Sequence, residues 1–293
     1  MSVLDQYRAA GETSSYIAPI VNKGYRVVVT HGNGPQVGFI LMRSELAKDV
    51  LHPVPLANCV ADTQGAIGFQ IAQTLQNVFL QQGVEKQVVS IVTQVVVDED
   101  DPSFESPSKP VGPFMSEAEA QRHALDDGWA VAEDAGRGWR RLVPSPTPLE
   151  IIELPAIRTL IDSGALVVAV GGGGIPVVYK PDGTLRPRPA VIDKDAASCL
   201  LALELGASVL IFSTDVDKAT RHFGTPEQAE IDQMNVAECR QYLAEGHFAV
   251  GSMRPKIESA IRFLENGGDE VIITQPHHLA GALHGIHGTH IVP

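Results

Sequence analysis

Short runs of apolar, β-branched residues alternate with longer amphipathic segments along most of this 293-residue chain. Such runs are typical of strands buried on both faces of a parallel sheet, and the segments between them have helical periodicity. The alternation predicts an α/β fold, a three-layer αβα sandwich with a mainly parallel central sheet. The predicted strands are residues 25–30, 87–97, 165–170, 208–213 and 270–274. The predicted helices are residues 3–21, 61–81, 153–162, 194–205 and 254–266.

Residues 98–148 interrupt this alternation. The segment is rich in Pro, Ser, Asp and Glu, contains Trp129 and Trp139, and is too long for an ordinary connection. A segment of this length is either a solvated insertion or a functional lid. We expect a single domain over residues 1–293, from which residues 98–148 protrude as a lid subdomain.

The charge of the chain excludes several classes of function. It has 35 acidic and 22 basic side chains, a formal net charge of −13, and no basic stripe of the kind that binds nucleic acid. No apolar stretch reaches the roughly 20 residues of a membrane helix, and the first residues have no signal-peptide pattern. Cys59, Cys199 and Cys239 lack metal-type spacing, which fits a reducing compartment. We expect a small-molecule partner and a cytoplasmic location, without nucleic acid or membrane.

Two glycine-containing segments follow predicted strands, where open α/β sheets bind ligands. His31, Gly32, Asn33 and Gly34 open the segment HGNGPQVG, and residues 171–174 are the four glycines of GGGGIP. Glycine lets the backbone approach a ligand, and amides at a helix start attract anions. The first segment is equally consistent with a tight turn. Four glycines have little packing purpose, so an oxyanion-binding loop is the better interpretation of the second. Neither segment matches G-x-x-x-x-G-K-[ST] or G-x-G-x-x-G.

Charged residues cluster at predicted helix starts and after a predicted strand. In AVIDKD, two carboxylates flank Lys194, where they either fix the lysine or form a plain N-cap. In GSMRPK, Lys256 lies in a first turn that favours acids, so it needs an anionic partner such as a phosphate and is expected to contribute little to stability. STDVD, residues 213–217, is either a nucleotide-binding turn or a polar turn. Lys109 lies between prolines of the insertion.

Five histidines crowd the last 17 residues. Their spacing matches no ligand pattern such as H-E-x-x-H, and carboxylates are nearly absent there. We therefore expect no metal site formed by these side chains. The histidines are His277, His278, His284, His287 and His290.

Taken together, eight motifs in order along the chain resemble those of the carbamate kinase family, which lies within the amino-acid kinase superfamily. The resemblance covers essentially the whole chain. The motifs are HGNGPQVG (31–38), KPVGPF (109–114), RRLVPSP (140–146), GGGGIPV (171–177), AVIDKD (190–195), STDVD (213–217), GHFAVGSMRPK (246–256) and GTHIV (288–292).

The resemblance implies a homodimeric phosphotransferase with a carboxyl-type acceptor. Such an enzyme reversibly transfers a phosphoryl group between carbamoyl phosphate and MgADP, giving ATP and carbamate, in arginine or related nitrogen metabolism. Mg²⁺ would accompany ADP or ATP. The implied catalytic residues are Lys109, Lys194, Lys256 and Asp195. The implied substrate-binding residues are His31, Gly32, Asn33, Gly34, Gly172, Gly173 and Gly174. The implied nucleotide-binding residues are Thr214, Asp215, Asp217, Ser252 and Met253.

The sequence departs from the family pattern in three places. Family members open with a strand that ends in a Gly-Gly-Asn-type loop, and this sequence begins after it. We expect either an internal methionine taken as the start or a protein that lacks part of its site. Arg254 stands where the family has Gly, and residues 218–220 replace Gly-Val-Tyr.

Two other functions compete with the kinase interpretation. One is a ligand-binding relative that has lost catalysis. The other is a kinase acting on an amino-acid carboxylate, which is less consistent with the sequence because those relatives are not expected to have KPVGPF and GGGGIP together.

Overall fold

The five helices predicted from hydrophobic periodicity lie close to their predicted positions. The computed structural model describes residues 2–134 and 136–293. The helix predicted over residues 194–205 is observed over those residues, whereas the one predicted over 61–81 begins five residues earlier. The helices are α1 (Val3–Asn22), α2 (Gln36–Leu46), α3 (Leu56–Gln81), α4 (Glu117–Asp126), α5 (Leu154–Asp162), α6 (Lys194–Leu205), α7 (Val236–Ala244), α8 (Met253–Glu265) and α9 (Leu279–Ala282).

The strand predicted over residues 270–274 is observed over those residues, whereas the other predicted strands are shorter than expected. The prediction of one strand over residues 87–97 is wrong, because two strands are found there. Between the two strands found there, the Thr93 backbone pairs with the Gln64 side-chain amide, at 2.7 and 3.1 Å. The strands are β1 (Val28–Val29), β2 (Val88–Ser90), β3 (Gln94–Val97), β4 (Lys109–Met115), β5 (Ala130–Glu133), β6 (Trp139–Val143), β7 (Pro148–Ile151), β8 (Leu166–Val168), β9 (Ile175–Tyr179), β10 (Leu185–Pro187), β11 (Val209–Ser213), β12 (Thr220–Arg221), β13 (Ala229–Glu230), β14 (Gln233–Asn235), β15 (Glu270–Thr274) and β16 (Thr289–Val292).

Strand β8 shows why the fold has three layers. It lies between β1 and β2 in a parallel sheet, and its successive side chains point to opposite faces. Leu166 and Val168 pack against α1 and α3, where Phe79 is fully buried. Val167 packs on the other face against α5 and α6, and Leu200 of α6 belongs to this cluster. The predicted αβα sandwich is therefore confirmed.

The carboxyl-terminal part of the chain contains a second sheet with the order β11-β15-β16-β14. Strands β11 and β15 are parallel, with Phe212 beside Ile273 in the register. Helices α6, α7 and α8 cover this sheet through a core that includes Ile257 and Phe263. A further mixed sheet, β10-β9-β3-β7, adjoins the glycine-rich segment. No helix in the described part of the chain combines the length and apolar character needed to cross a bilayer.

The segment that interrupts the alternation folds as a small unit of its own. Strands β4, β6 and β5 form an antiparallel sheet in that order, with Lys109 opposite Val143. Helix α4 contacts β5 and β6 and begins with a capping box formed by Ser116 and Glu119. The unit lies against α2, where a Cβ on Gly38 would be only 2.6 Å from the Gly112 Cα atom. From this unit, the Lys109 side chain reaches Asp193 of the main domain.

Candidate active site

The amino-terminal end of α6 carries the first part of the site. Asp193 is the N-cap, and its Oδ1 accepts hydrogen bonds from the backbone N–H groups of Asp195 and Ala196 at 2.9 and 3.2 Å. Its Oδ2 accepts a hydrogen bond from Lys109 Nζ at 2.9 Å. Burial raises the pKa of Asp193, but Lys109 and the helix amides outweigh it and hold that pKa below 3.8. Lys109 therefore joins the inserted unit to the start of α6.

A buried ion pair connects α6 with α8. Lys256 Nζ donates to Asp195 Oδ2 at 2.9 Å, and both residues are buried. The Lys256 ammonium also lies 5.6 Å from the centroid of the Phe212 ring. Lys194 Nζ is 3.5 Å from the same Asp195 oxygen, but its side chain is half exposed. Two ammonium groups therefore converge on one carboxylate oxygen.

This arrangement corrects two expectations. The anionic partner of Lys256 is Asp195, so that no phosphate is needed to explain a lysine in the first turn of α8. Asp193 and Asp195 do not both fix Lys194, because Asp193 is bound to Lys109 and Asp195 makes its shorter contact with Lys256. Removing Lys256 would leave a buried carboxylate without its partner, so the structure predicts a larger contribution of Lys256 to stability than the sequence does.

The turn at residues 31–34 faces the Lys194 side chain. A Cβ on Gly32 would lie 2.9 Å from Lys194 Cδ. Asn33 is held from two sides, because its Oδ1 accepts from Thr63 Oγ1 at 2.7 Å and its Nδ2 donates to the Gly172 carbonyl at 3.3 Å. Within residues 2–134 and 136–293, the amides of Gly32, Asn33 and Gly34 have no protein acceptor. These amides can receive an anion.

The side chain of His31, the first residue of this turn, packs against the glycine-rich segment. One of its ring nitrogens, Nδ1, is 2.9 Å from the Gly32 carbonyl oxygen. Burial lowers the pKa of His31, which keeps its imidazole neutral at pH 7. The Gly171 backbone passes so close to the ring that a Cβ there would collide with it. His31 therefore packs the glycine-rich segment against the turn and adds no charge to it.

The glycine-rich segment has a packing purpose that its sequence did not reveal. Gly172, Gly173 and Gly174 all have positive φ, and Cβ atoms there would collide with Asn33, the Ile192 carbonyl and Val95, respectively. Their amides donate inside the chain, to the carbonyls of His31, Val170 and Gly171 at 2.6, 3.1 and 3.1 Å. The expectation of an oxyanion-wrapping loop is therefore wrong for these three amides. The segment is a tightly packed wall against the turn at residues 31–34.

Sequence reasoning missed the residues that hold this wall in place. Thr63 and Gln64 are buried on α3, where they anchor Asn33 and the Thr93 backbone. The Thr93 hydroxyl in turn accepts a hydrogen bond from the Val170 N–H at 3.0 Å. Two polar residues inside an amphipathic helix gave no signal, because their partners lie about 30 residues away in the sequence.

The expected nucleotide-binding residues lie on two segments. After β11, the Thr214 N–H donates to the Thr274 carbonyl at 2.9 Å, and the Asp215 carbonyl accepts from Gln275 Nε2 at 2.7 Å. Ser252 is the N-cap position of α8, and Met253 packs against the core beneath β11 and β15. The segment after β11 is close to the Lys256–Asp195 pair because Phe212 of β11 contacts Lys256. The segment with Ser252 and Met253 is close to it because Lys256 lies in the first turn of α8.

Asp217 is tied to the chain after β15. Its Oδ1 accepts hydrogen bonds from Thr274 Oγ1 at 2.9 Å and from His278 Nδ1 at 2.7 Å. Burial raises the pKa of Asp217, but these hydrogen bonds lower it below 3.8 overall. Asp217 is therefore an ionised, already engaged carboxylate.

Comparison with known proteins identifies relatives over nearly the whole chain. The model of the amino acid kinase family matches residues 2–275. A carbamate kinase-like protein of Escherichia coli is 47% identical, over 99% of this chain and 93% of that protein. The carbamate kinase of Pyrococcus horikoshii is 46% identical, over 96% of this chain and 90% of the enzyme.

A solved structure agrees with these sequence matches. The carbamate kinase of Giardia lamblia bound to AMP-PNP superposes with a TM-score of 0.90 and is 41% identical, over 98% of this chain and 90% of the other.

Proposed function

The chain belongs to the amino acid kinase family, and from that membership we propose that it is a carbamate kinase. It transfers a phosphoryl group reversibly between carbamoyl phosphate and MgADP. In the direction of ATP synthesis, a terminal phosphate oxygen of ADP forms a bond to phosphorus as the bond from phosphorus to the carbamate oxygen breaks. Carbamate leaves as the anion and decomposes to ammonia and CO₂. The carbamate kinase names of relatives about 45% identical support this reaction.

The observation that carries the proposal is the charge at the start of α6. Three lysines face two aspartates there, which leaves one net positive charge beside the free amides of the turn at residues 31–34. The whole chain has a net charge of −13. Salt screens that global charge over about 8 Å, so the local cations decide how an anion binds. This is the place in the described chain that is best suited to a phosphoryl group.

Each lysine has a distinct part in the proposed transfer. The Lys194 ammonium is half exposed beside Gly32, so it can contact the oxygens of the transferring group directly. Lys256 approaches from α8 and is held in place by Asp195, which makes Asp195 a positioning residue. Lys109 arrives from the inserted unit. Phosphoryl transfer needs little covalent chemistry from the protein, because alignment and neutralisation of charge lower the barrier.

We assign nucleotide binding to the segments that carry Thr214, Asp215 and Asp217 and to Ser252 and Met253. Both segments lead towards Lys256, so a nucleotide held there would direct its phosphates at the ion pair. Mg²⁺ would enter as part of the nucleotide substrate, held mainly by phosphate oxygens and water. Asp193 and Asp195 fit that arrangement because lysines already occupy both carboxylates. The nucleotide analogue in the Giardia relative supports a nucleotide site in this chain.

Residues 98–148 would act as the lid. Closing the unit of β4, β5, β6 and α4 over the turn at residues 31–34 excludes water, which protects carbamate and strengthens the electrostatic interactions. The homodimer and the place in arginine metabolism stay predictions from the resemblance, and the cytoplasmic location stays a prediction from the cysteine content.

The reaction is tested by measuring ATP formation from carbamoyl phosphate and ADP, with luciferase as the readout. We expect turnover that requires carbamoyl phosphate and Mg²⁺, with acetyl phosphate far less effective as the donor. Calorimetric titration with ADP is run in parallel on the same folded protein. Nucleotide binding without ATP formation would contradict the kinase proposal and establish the ligand-binding alternative.

A further inference from the structure

Two of the carboxyl-terminal histidines meet a carboxylate from another part of the fold. His278 follows β15, His287 lies in the connection before β16, and Asp217 follows β11. Their potential ligand atoms all lie within 4.8 Å of one another. The sequence spacing of the histidines could not reveal this, because Asp217 is 61 residues before His278.

The two imidazoles are arranged so that both face Asp217. Their rings stack in parallel, with centroids 3.8 Å apart and planes 5° from each other, so the His287 ring has to turn before the lone pairs of both imidazoles point at one ion. His278 Nδ1 lies 2.7 Å from Asp217 Oδ1, whereas His287 Nδ1 stands 3.8 Å from Asp217 Oδ2, beyond hydrogen-bond distance. Neither ring nitrogen of His287 has a hydrogen-bond partner in the described part of the chain. The cluster therefore contains an imidazole near Asp217 whose ring nitrogens make no hydrogen bond within the described part of the chain.

The distances between the histidine nitrogens and the Asp217 oxygens are close to those around a small tetrahedral ion. Ligand atoms about 2.0 Å from zinc at tetrahedral angles are about 3.3 Å apart. The two nitrogen–oxygen distances of 2.7 and 3.8 Å lie on either side of that value. Two imidazoles with one carboxylate favour Zn²⁺ and its neighbours over Mg²⁺ or Ca²⁺, which prefer oxygen ligands.

The surroundings support coordination. Thr274 Oγ1 donates to Asp217 at 2.9 Å and so orients the carboxylate, as outer partners of metal ligands do. The nearby cation Lys218 is directed away, because its Nζ pairs with Asp232 at 2.6 Å. All three candidate ligands are half-buried, so that an ion can reach them from solvent.

We propose that Asp217, His278 and His287 form a binding site for a zinc-class transition-metal ion, separate from the Mg²⁺ that accompanies the nucleotide. The bound ion joins the segment after β11, the turn after β15 and the connection before β16. A fourth coordination position stays open to water or another ligand. The site lies at the carboxyl ends of β11 and β15 and shares Asp217 with the segment we assign to the nucleotide.

The test is calorimetric titration of the full chain with Zn²⁺, after chelator treatment and without a histidine tag. We expect one equivalent of zinc to bind, and Co²⁺ to give the visible absorption bands of a four-coordinate site. His278→Ala and His287→Ala should each weaken zinc binding by at least about tenfold. His287 is half-buried in the connection before β16, and circular dichroism checks that its replacement leaves the fold intact.

His284→Ala is the matched control, because His284 contacts Lys23 and takes no part in the cluster. Its zinc affinity should equal that of the parent. Two results would overturn the proposal. One is a parent protein that takes up no zinc or cobalt, and the other is a parent and three variants that bind with the same affinity.

Discussion

Two lysine–aspartate pairs in this protein have the same nitrogen–oxygen distance and very different surroundings. Lys256 and Asp195 are 2.9 Å apart with side chains only 6% exposed, whereas Lys109 and Asp193 are 2.9 Å apart with side chains 26% and 28% exposed. The first pair joins two helices of the main domain. The second joins the inserted unit to the start of α6.

The difference shows that distance alone does not tell what an ion pair does. A buried pair cannot lose one partner without leaving an uncompensated charge, so Lys256 and Asp195 fix the relative positions of α6 and α8. A solvent-accessible pair contributes little to stability and can open and close. We infer that the first pair presets the reaction centre, and that the second acts as a latch for the lid.

The largest expected effect comes from breaking the buried pair. Lys256→Met should lower the free energy of unfolding by about 3–5 kcal/mol, because Asp195 stays buried without its partner. Urea denaturation measures this loss. The double variant Lys256→Met with Asp195→Leu should recover most of the stability and none of the turnover. A single variant as stable as the parent would show that the pair does not hold the helices together.

The packing of the glycine-rich wall gives the next effect. Gly172→Ala should reduce kcat about 100-fold, because the new Cβ displaces Asn33 and with it the turn at residues 31–34. Gly183→Ala is the control. Gly183 has a φ of 81° and Gly172 a φ of 68°, but a Cβ on Gly183 would meet open space. Both variants carry about 1–2 kcal/mol of backbone strain. Equal kinetics for the two would mean that the contact with Asn33 has no part in catalysis.

Breaking the half-buried pair of Lys109 and Asp193 should affect turnover much more than stability. Lys109→Ala should change the free energy of unfolding by less than about 1 kcal/mol, and lower kcat by about 10² as a contact to the transferring group is lost. Arg26→Ala, which removes an exposed pair with Asp162, is the control and should alter neither. Initial rates and urea denaturation are measured on both variants. If Lys109→Ala lost stability but not turnover, Lys109 would have a structural role and not the catalytic role assigned to it.

The smallest effect is the pH dependence of the latch. The pKa of Asp193 is held below 3.8, so the stability that Lys109 supplies is present above pH 3.8 and is lost as the pH falls below it. The difference in unfolding free energy between the parent and Lys109→Ala should therefore shrink on acidification. A difference that grew below pH 3.8 would contradict the pairing.

Local features of the fold could be predicted from the sequence because their causes are local. Asp193 was recognised as a candidate N-cap, and it caps α6 as its position suggests. Helix and strand positions follow from periodicity for the same reason. The strand predicted over residues 87–97 failed, because the side chain of Gln64 on another element engages the Thr93 backbone.

The site residues could be found from the sequence, but their partners could not. The resemblance selected Lys109, Lys194, Lys256 and Asp195, and the structure joins them at the start of α6. Asp195 pairs with Lys256 because α6 packs on α8, and the two residues are 61 positions apart in the sequence. Pairings of this kind are set by tertiary packing, for which neither periodicity nor motif spacing gives a signal.

The most direct test of the account is the turnover of Lys194→Ala in the luciferase assay. Lys194 is 46% exposed, so its loss should leave the free energy of unfolding within about 1 kcal/mol of the parent value. Lys180→Ala removes a lysine of similar exposure, 41%, in the turn between β9 and β10, and serves as the control. We predict a kcat lowered by a factor of about 10² or more for Lys194→Ala and parental kinetics for Lys180→Ala. Parental kinetics for both variants would contradict a reaction centre at the start of α6.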